Sequence, residues 1–312
     1  MKFKLFFISI WLFLYSFVSA YGELPINKII IWGYKLHSHT HSYIHEGYYR
    51  AFKHLGYETY WFDENDKLDG FDFSQSLFLT EGNCDRGIPL REDCFYVLHN
   101  CFSKKYDRLY RMGHCVTLQV YWHCLKDSEA THIDKFSFYN LKRKTICMPW
   151  ATDLLPHEID EAKKNWPKLQ KQPYAYFVGS RHGGVNDTAG VLDSFRRACS
   201  ENGIKFIVTG LYSTATKVAN KSHKQLIETS MLAPALQGKS QVDQGYIPCR
   251  IFKNISYGQL GVTNSKTVYE LFKRKVSNKH IVIGCTIFPG YIRSIGKNLI
   301  KDCINTSLSY NP

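Results

Sequence analysis

The sequence predicts an α/β protein whose two parallel-sheet domains face each other across a cleft and are preceded by a signal sequence. Three observations lead there. Short runs of β-branched and aromatic residues alternate with helically spaced segments through both halves of the 312 residues. A charged stretch of helical pattern, His157 to Pro173, separates the halves and is closed by proline, as a linker helix would be. An apolar run opens the chain. These place a signal peptide or signal anchor at residues 1–20, one domain at 25–156 and a second at 157–312.

The elements follow in order. Lys2 and Lys4 form a positive n-region, Leu5 to Val18 is apolar apart from Ser9 and Ser16, and Val18-Ser19-Ala20 offers small side chains before Tyr21. The run falls short of the roughly 20 apolar residues that span a bilayer comfortably, so cleavage is favoured over retention. Ile29 to Tyr34 reads as a buried strand, Tyr43 to Leu55 as a helix stopped by Gly56, and Tyr57 to Phe62 as the next strand. Ser76 to Leu79, Cys94 to His99, Val116 to Tyr121 and Thr145 to Trp150 continue the sheet, and Ala151 to Pro156 leaves it as a crossover. The pattern restarts with strands at Tyr174–Gly179 and Ile204–Gly210 around a helix at Ala189–Asn202. Helices at Lys224–Met231, Ile247–Tyr257 and Thr267–Phe272 then alternate with short strands at Leu232–Gln237 and Gly261–Thr263.

Composition narrows the class. Aromatic residues at 15% and hydrophobic residues at 44% belong to a packed chain and exclude a disordered one. The net charge of +13 suits an anionic ligand, but the cations are interspersed, so nucleic acid is not favoured as a partner. Ten cysteines fit an oxidising compartment and disulfides, with pairing undetermined by spacing, and no CxxC suggests a zinc ribbon. Sequons at Asn186, Asn220, Asn254 and Asn305 agree with luminal exposure, although Asn254 sits in a buried helix pattern.

The second half carries the more specific motif. Gly179-Ser180-Arg181 ends a strand and opens toward a helix, placing backbone N–H groups and a guanidinium where a phosphate binds. Gln244 to Asn264 then reads QGYIPCRIFKNISYGQLGVTN. With Arg250-Ile251-Phe252, Tyr257-Gly258 and the LGVTN strand, this segment resembles the nucleotide-sugar-binding region of GT-B glycosyltransferases, especially CgeB-like and family-1-type enzymes. YFVGSR and FIVTG match the start of the same domain, so the resemblance spans roughly residues 174 to 272. It implies two Rossmann-like domains of the GT-B type, a nucleotide-sugar donor in the second, and a carbohydrate or glycoconjugate acceptor in the first. It also implies Gly179, Ser180, Arg181, Arg250, Lys253, Tyr257, Gly258 and Asn264 as donor-binding residues. Lys253 departs from the pattern, standing where many such enzymes carry an acidic residue for the ribose hydroxyls; a lysine cannot accept those bonds and is instead suited to phosphate. No cofactor and no metal is needed, because fixed cations stabilise the departing diphosphate. The segment beyond Phe272 does not resemble the long returning helix of such enzymes.

The first half contributes HSHTHSYIHEG, His37 to Gly47, in the loop leaving the first strand, where ligands of α/β sheets bind. His41 is the first candidate for the base that takes the acceptor proton, and His39 the second. The same histidines support a rival class: His-Ser-His-Thr-His resembles the opening of metal-dependent hydrolases of the PHP and amidohydrolase type, using the His37–His45 cluster. A PHP protein next shows Asp-His, whereas this chain has Phe62-Asp63-Glu64-Asn65. A third class, a carbohydrate-binding protein with aromatic platforms, rests on the Tyr and Trp content alone.

Overall fold

The computed structural model describes residues 24–35, 40–123, 130–133, 136–179, 181, 188–210, 220–273 and 285–287. The candidate signal segment, His37, His39, Ser180 and the sequons at Asn186 and Asn305 lie outside the described residues. Among the described residues no helix is long and apolar enough to cross a membrane. The chain is α/β and divides into two compact units, the first ending at Pro149 and the second beginning at Trp150.

The first unit runs β1 (Lys28–Trp32), α1 (Thr40–His54), β2 (Thr59–Phe62), β3 (Ser76–Glu81) and β4 (Phe95–His99). It continues with α2 (Asp107–Met112), β5 (Cys115–Gln119), β6 (Ala130–His132), β7 (Phe138–Asn140) and β8 (Thr145–Cys147). These strands form one sheet in the order β2-β1-β3-β4-β5-β8-β7-β6. Ile29, Ile30 and Ile31 are all buried, which requires cover on both faces. One neighbour is α1, packed against β1 and β2. The crossing from β2 to β3 contains no helix, and aromatic rings supply cover there. Phe71 meets Tyr60 and Phe62 at centroid distances of 4.8 Å and Phe73 at 4.6 Å, while Phe78 stacks on Tyr96 at 5.0 Å. Part of the high aromatic content is thereby explained: the rings do a crossover helix's covering work.

The expectation of a parallel sheet needs correction at one edge. The pairing is parallel from β2 through β8, but β7 is antiparallel to both β8 and β6. Only the turn 141–144 joins β7 to β8, and a connection this short can only return the chain antiparallel. Lys144 takes the left-handed conformation, φ 46°, that closes it.

The second unit runs α3 (Pro156–Asn165), β9 (Gln172–Val178), α4 (Thr188–Glu201), β10 (Lys205–Thr209), α5 (Asn220–Thr229) and β11 (Ser230–Leu232). Then come α6 (Lys239–Asp243), α7 (Cys249–Ser256), β12 (Gly261–Thr263), α8 (Lys266–Lys273) and β13 (Cys285–Ile287). β10-β9-β11 form one parallel sheet and β12-β13 another, with a parallel bridge between Ala235 and Thr263. The strand expected at Leu232–Gln237 is thus a three-residue strand followed by that bridge. Phe177, Leu192, Phe195 and Val262 centre the core between β9 and α4. Taken by rank along its own unit, the three-stranded sheet has the order second, first, third, as in the first three strands of the first unit. In such sheets the order reverses between the first and third strands, and ligands bind at the carboxyl ends there.

Cys84, Cys94, Cys101, Cys115, Cys147, Cys199 and Cys249 are free thiols. Five of them are buried, where they pack as small hydrophobes.

Candidate functional site

Each unit has its order reversal between two identified strands, β1 and β3 in the first and β9 and β11 in the second. Polar residues collect at the carboxyl end of both places.

In the first unit, α1 brings His41 and His45 beside the ends of β1 and β4. The His45 Nδ1 is bonded to the Gly33 carbonyl at 2.8 Å, to which Trp61 also donates at 3.0 Å. The His41 ring stacks on Tyr34 at 5.6 Å and lies 5.7 Å from the His99 ring. Burial lowers the His99 pKa, holding the ring neutral, against the opposing effect of its bond to the Leu118 carbonyl. With Nδ1–H donated to Leu118, the other ring nitrogen accepts from the Asn100 amide at 3.0 Å. Glu81, only 1% exposed, closes β3 and sits beside His99 in register. Its carboxylate accepts from the Asn83 backbone at 2.9 Å and the Asn83 amide at 2.8 Å. Burial raises the Glu81 pKa, while these bonds and one from Asn100 oppose the rise. The Tyr34 hydroxyl is pushed up to about 12, by burial first and then by Glu81, with which it shares a hydrogen bond.

His41 is the candidate base expected from the sequence; Tyr34, Glu81 and Asn100, which the fold sets around it, were not anticipated. The available signal was a polar residue closing an apolar strand, as in SLFLTE and FYVLH. Among the described residues no group of three His, Cys, Asp or Glu side chains is arranged to hold a metal ion.

In the second unit the central feature is Arg250, on the first turn of α7. Its Nη1 reaches the Val178 carbonyl at a long 3.3 Å, and its guanidinium lies 4.5 Å over the Phe177 ring. Nε is buried with no hydrogen-bond partner, and no carboxylate pairs with this charge among the described residues. Burial lowers the Arg250 pKa. The guanidinium fits because position 179 is glycine: a methyl group there would stand 2.7 Å from Nη1. Gly210, ending β10, is equally constrained, since a methyl there would stand 2.4 Å from the Gly179 carbonyl. Two strand ends are therefore stripped of side chains beside a cation that no carboxylate neutralises among the described residues.

No protein-family model and no curated protein matches this chain.

The other expected donor-site residues divide by what they touch. Arg181 is paired with Asp193 of α4 at 2.7 Å and is exposed. Lys253 lies 5.8 Å over the Tyr257 ring, one turn along α7 from Arg250. The Tyr257 hydroxyl donates to the Asp153 carboxylate at 2.6 Å, and its pKa is raised by burial and then by Asp153. Gly258 ends α7 at φ 80° against Trp166. Asn264 donates to the Gln237 carbonyl at 2.8 Å and accepts from the Gln237 N–H at 2.9 Å. Tyr257, Gly258 and Asn264 thus brace the segment that carries Arg250. Phe177 and Gly210, which shape the surroundings of the guanidinium, were not anticipated.

Proposed function

We propose that the chain is a glycosyltransferase of the GT-B type, moving a sugar from a nucleotide-diphosphate donor to a hydroxyl acceptor without a metal ion. The observation that carries the reading is Arg250: a part-buried guanidinium with no carboxylate partner among the described residues, beside glycine-bare strand ends at a position that binds ligands in such sheets. A charge held in this way is poised for an anion that arrives with the substrate. In the reaction the acceptor oxygen bonds to the anomeric carbon as the bond to the diphosphate oxygen breaks. The electron pair leaves on the diphosphate, which Arg250 neutralises, with Lys253 as the second cation. His41 takes the acceptor proton. The first unit supplies the acceptor site, and residues 1–20 direct the chain to the secretory lumen.

A thermal-shift screen of the purified chain against UDP- and GDP-sugars and against divalent metals tests this. Stabilisation by a nucleotide sugar, abolished in Arg250→Ala, supports the transferase. Stoichiometric zinc, iron or manganese with no response to nucleotides replaces it with the metal-dependent hydrolase.

A further inference from the structure

The polar cluster of the first unit contains a residue that the proton transfer itself does not use. Tyr34 follows Gly33, and the two take left-handed conformations in succession, φ 91° and 54°. Asn100, across the sheet at the end of β4, is also left-handed at φ 52°. Glycine adopts this region freely and asparagine is enriched there, but for tyrosine it is strained. Such strain persists only where the surroundings over-determine it, and it clusters where geometry serves a purpose.

Glu81 is what holds the tyrosine. Its buried carboxylate takes hydrogen bonds from the Asn83 backbone, the Asn83 amide, the Asn100 amide and the Tyr34 hydroxyl, tying together the segments that leave β1, β3 and β4. The tyrosine ring in turn lies nearly parallel to the His41 imidazole, 14° between planes at 5.6 Å.

We propose that Tyr34, anchored by Glu81, is the positioning residue that sets the plane of the His41 ring for proton transfer. The inference rests on the reading of His41 as the base. Tyr34 touches no reacting atom in this account; it acts through the ring it stacks on. The strained backbone is the consequence of aiming a tyrosine at both partners from a site where asparagine would be more comfortable.

That contrast supplies the test. Tyr34→Asn relieves the backbone strain while deleting the stack, and Tyr34→Phe keeps the stack while deleting the bond to Glu81. The first readout is steady-state release of UDP or GDP from whichever nucleotide sugar stabilises the intact chain. Tyr34→Asn is expected to melt no lower than the parent, with kcat down by roughly 10- to 100-fold and the donor KM unchanged. Tyr34→Phe, which keeps the ring but loses its anchor, should fall between the two, and a kcat equal to the parent's would overturn the anchoring by Glu81. The second readout is independent of turnover: NMR of the His41 imidazole, whose ring-current-shifted proton signals should move toward random-coil positions in Tyr34→Asn and part of the way in Tyr34→Phe. A chain that responds to no nucleotide sugar removes the transferase reading, and the NMR arm alone then decides whether Tyr34 orders His41. Unchanged His41 signals in Tyr34→Asn overturn the proposal, as does an undiminished kcat. A large fall in its melting temperature also overturns it, because it would make Tyr34 a residue of the fold.

Discussion

Arg250→Met separates a charge kept for the fold from one kept for a ligand. In the folded chain the guanidinium gains a cation–π contact with Phe177 at 4.5 Å, worth about 0.5–2 kcal/mol depending on desolvation. It gains about 1 kcal/mol or less from the long bond to the Val178 carbonyl. Against these stands a buried Nε–H with no acceptor among the described residues, which costs about 1–3 kcal/mol. The sum is close to zero, and methionine keeps the apolar stem that packs beneath the charge. Stability should therefore change by no more than about 1 kcal/mol, a shift in Tm of less than about 4 °C for a unit of this size. Nucleotide affinity should fall far more, because a hydrogen bond to a charged group contributes about 1.5–3 kcal/mol, or roughly 10- to 150-fold in Kd. Differential scanning calorimetry and titration calorimetry with UDP and GDP read the two quantities on the same samples. A loss of Tm above about 8 °C would make Arg250 a structural brace, and unchanged nucleotide affinity would refute the reasoning from the other side.

Other outcomes follow from single contacts. Gly258→Ala should cost more than about 2 kcal/mol in urea denaturation, because φ is 80° and the added methyl would stand 2.6 Å from Trp166. Lys171, whose ammonium reaches the Glu228 carbonyl at 2.8 Å, has its pKa lowered by burial to about 8. The folded state therefore bears a desolvated charge below pH 8, and that penalty disappears once the unfolded lysine also deprotonates near 10.5. Lys171→Met should accordingly stabilise the chain at pH 7, with a gain that shrinks toward pH 10.5; a gain independent of pH would contradict the assignment. Asn254, 3% exposed and donating to the Ala233 carbonyl, should remain unglycosylated when folded chain from a glycosylating host is mapped by peptide mass spectrometry.

The strands were legible where burial on both faces makes the sequence uniformly apolar. Ile29 to Ile31 and Phe95 to Leu98 admit no other placement once Gly33 and Asn100 punctuate them. The β7–β8 hairpin was not legible, because its turn, Leu141 to Lys144, has no glycine or proline and puts lysine in the left-handed position where asparagine or glycine is usual. The helix-free crossing from β2 to β3 was equally hidden, since Phe71 and Phe73 read as loop residues until Tyr60 and Phe62 are seen against them. At the sites, His41 could be placed because it follows a strand end closely in sequence. The approach of Arg250 to Val178 joins residues 72 apart, and no local pattern encodes it. The commitment of Arg181 to Asp193 is likewise a matter of rotamer and helix placement. Lys253, Tyr257 and Gly258 lie within a turn or two of Arg250, yet helix geometry alone does not say which of them a ligand meets.

The most direct measurement concerns the Nε–H of Arg250, which has no acceptor among the described residues. Its resonance, assigned through Arg250→Lys, can be followed by ¹H–¹⁵N NMR as the intact chain is titrated with UDP or GDP. A saturable downfield shift is expected as a phosphate oxygen accepts from this N–H. A resonance that stays in place at millimolar nucleotide would contradict the claim that Arg250 is kept for a nucleotide diphosphate.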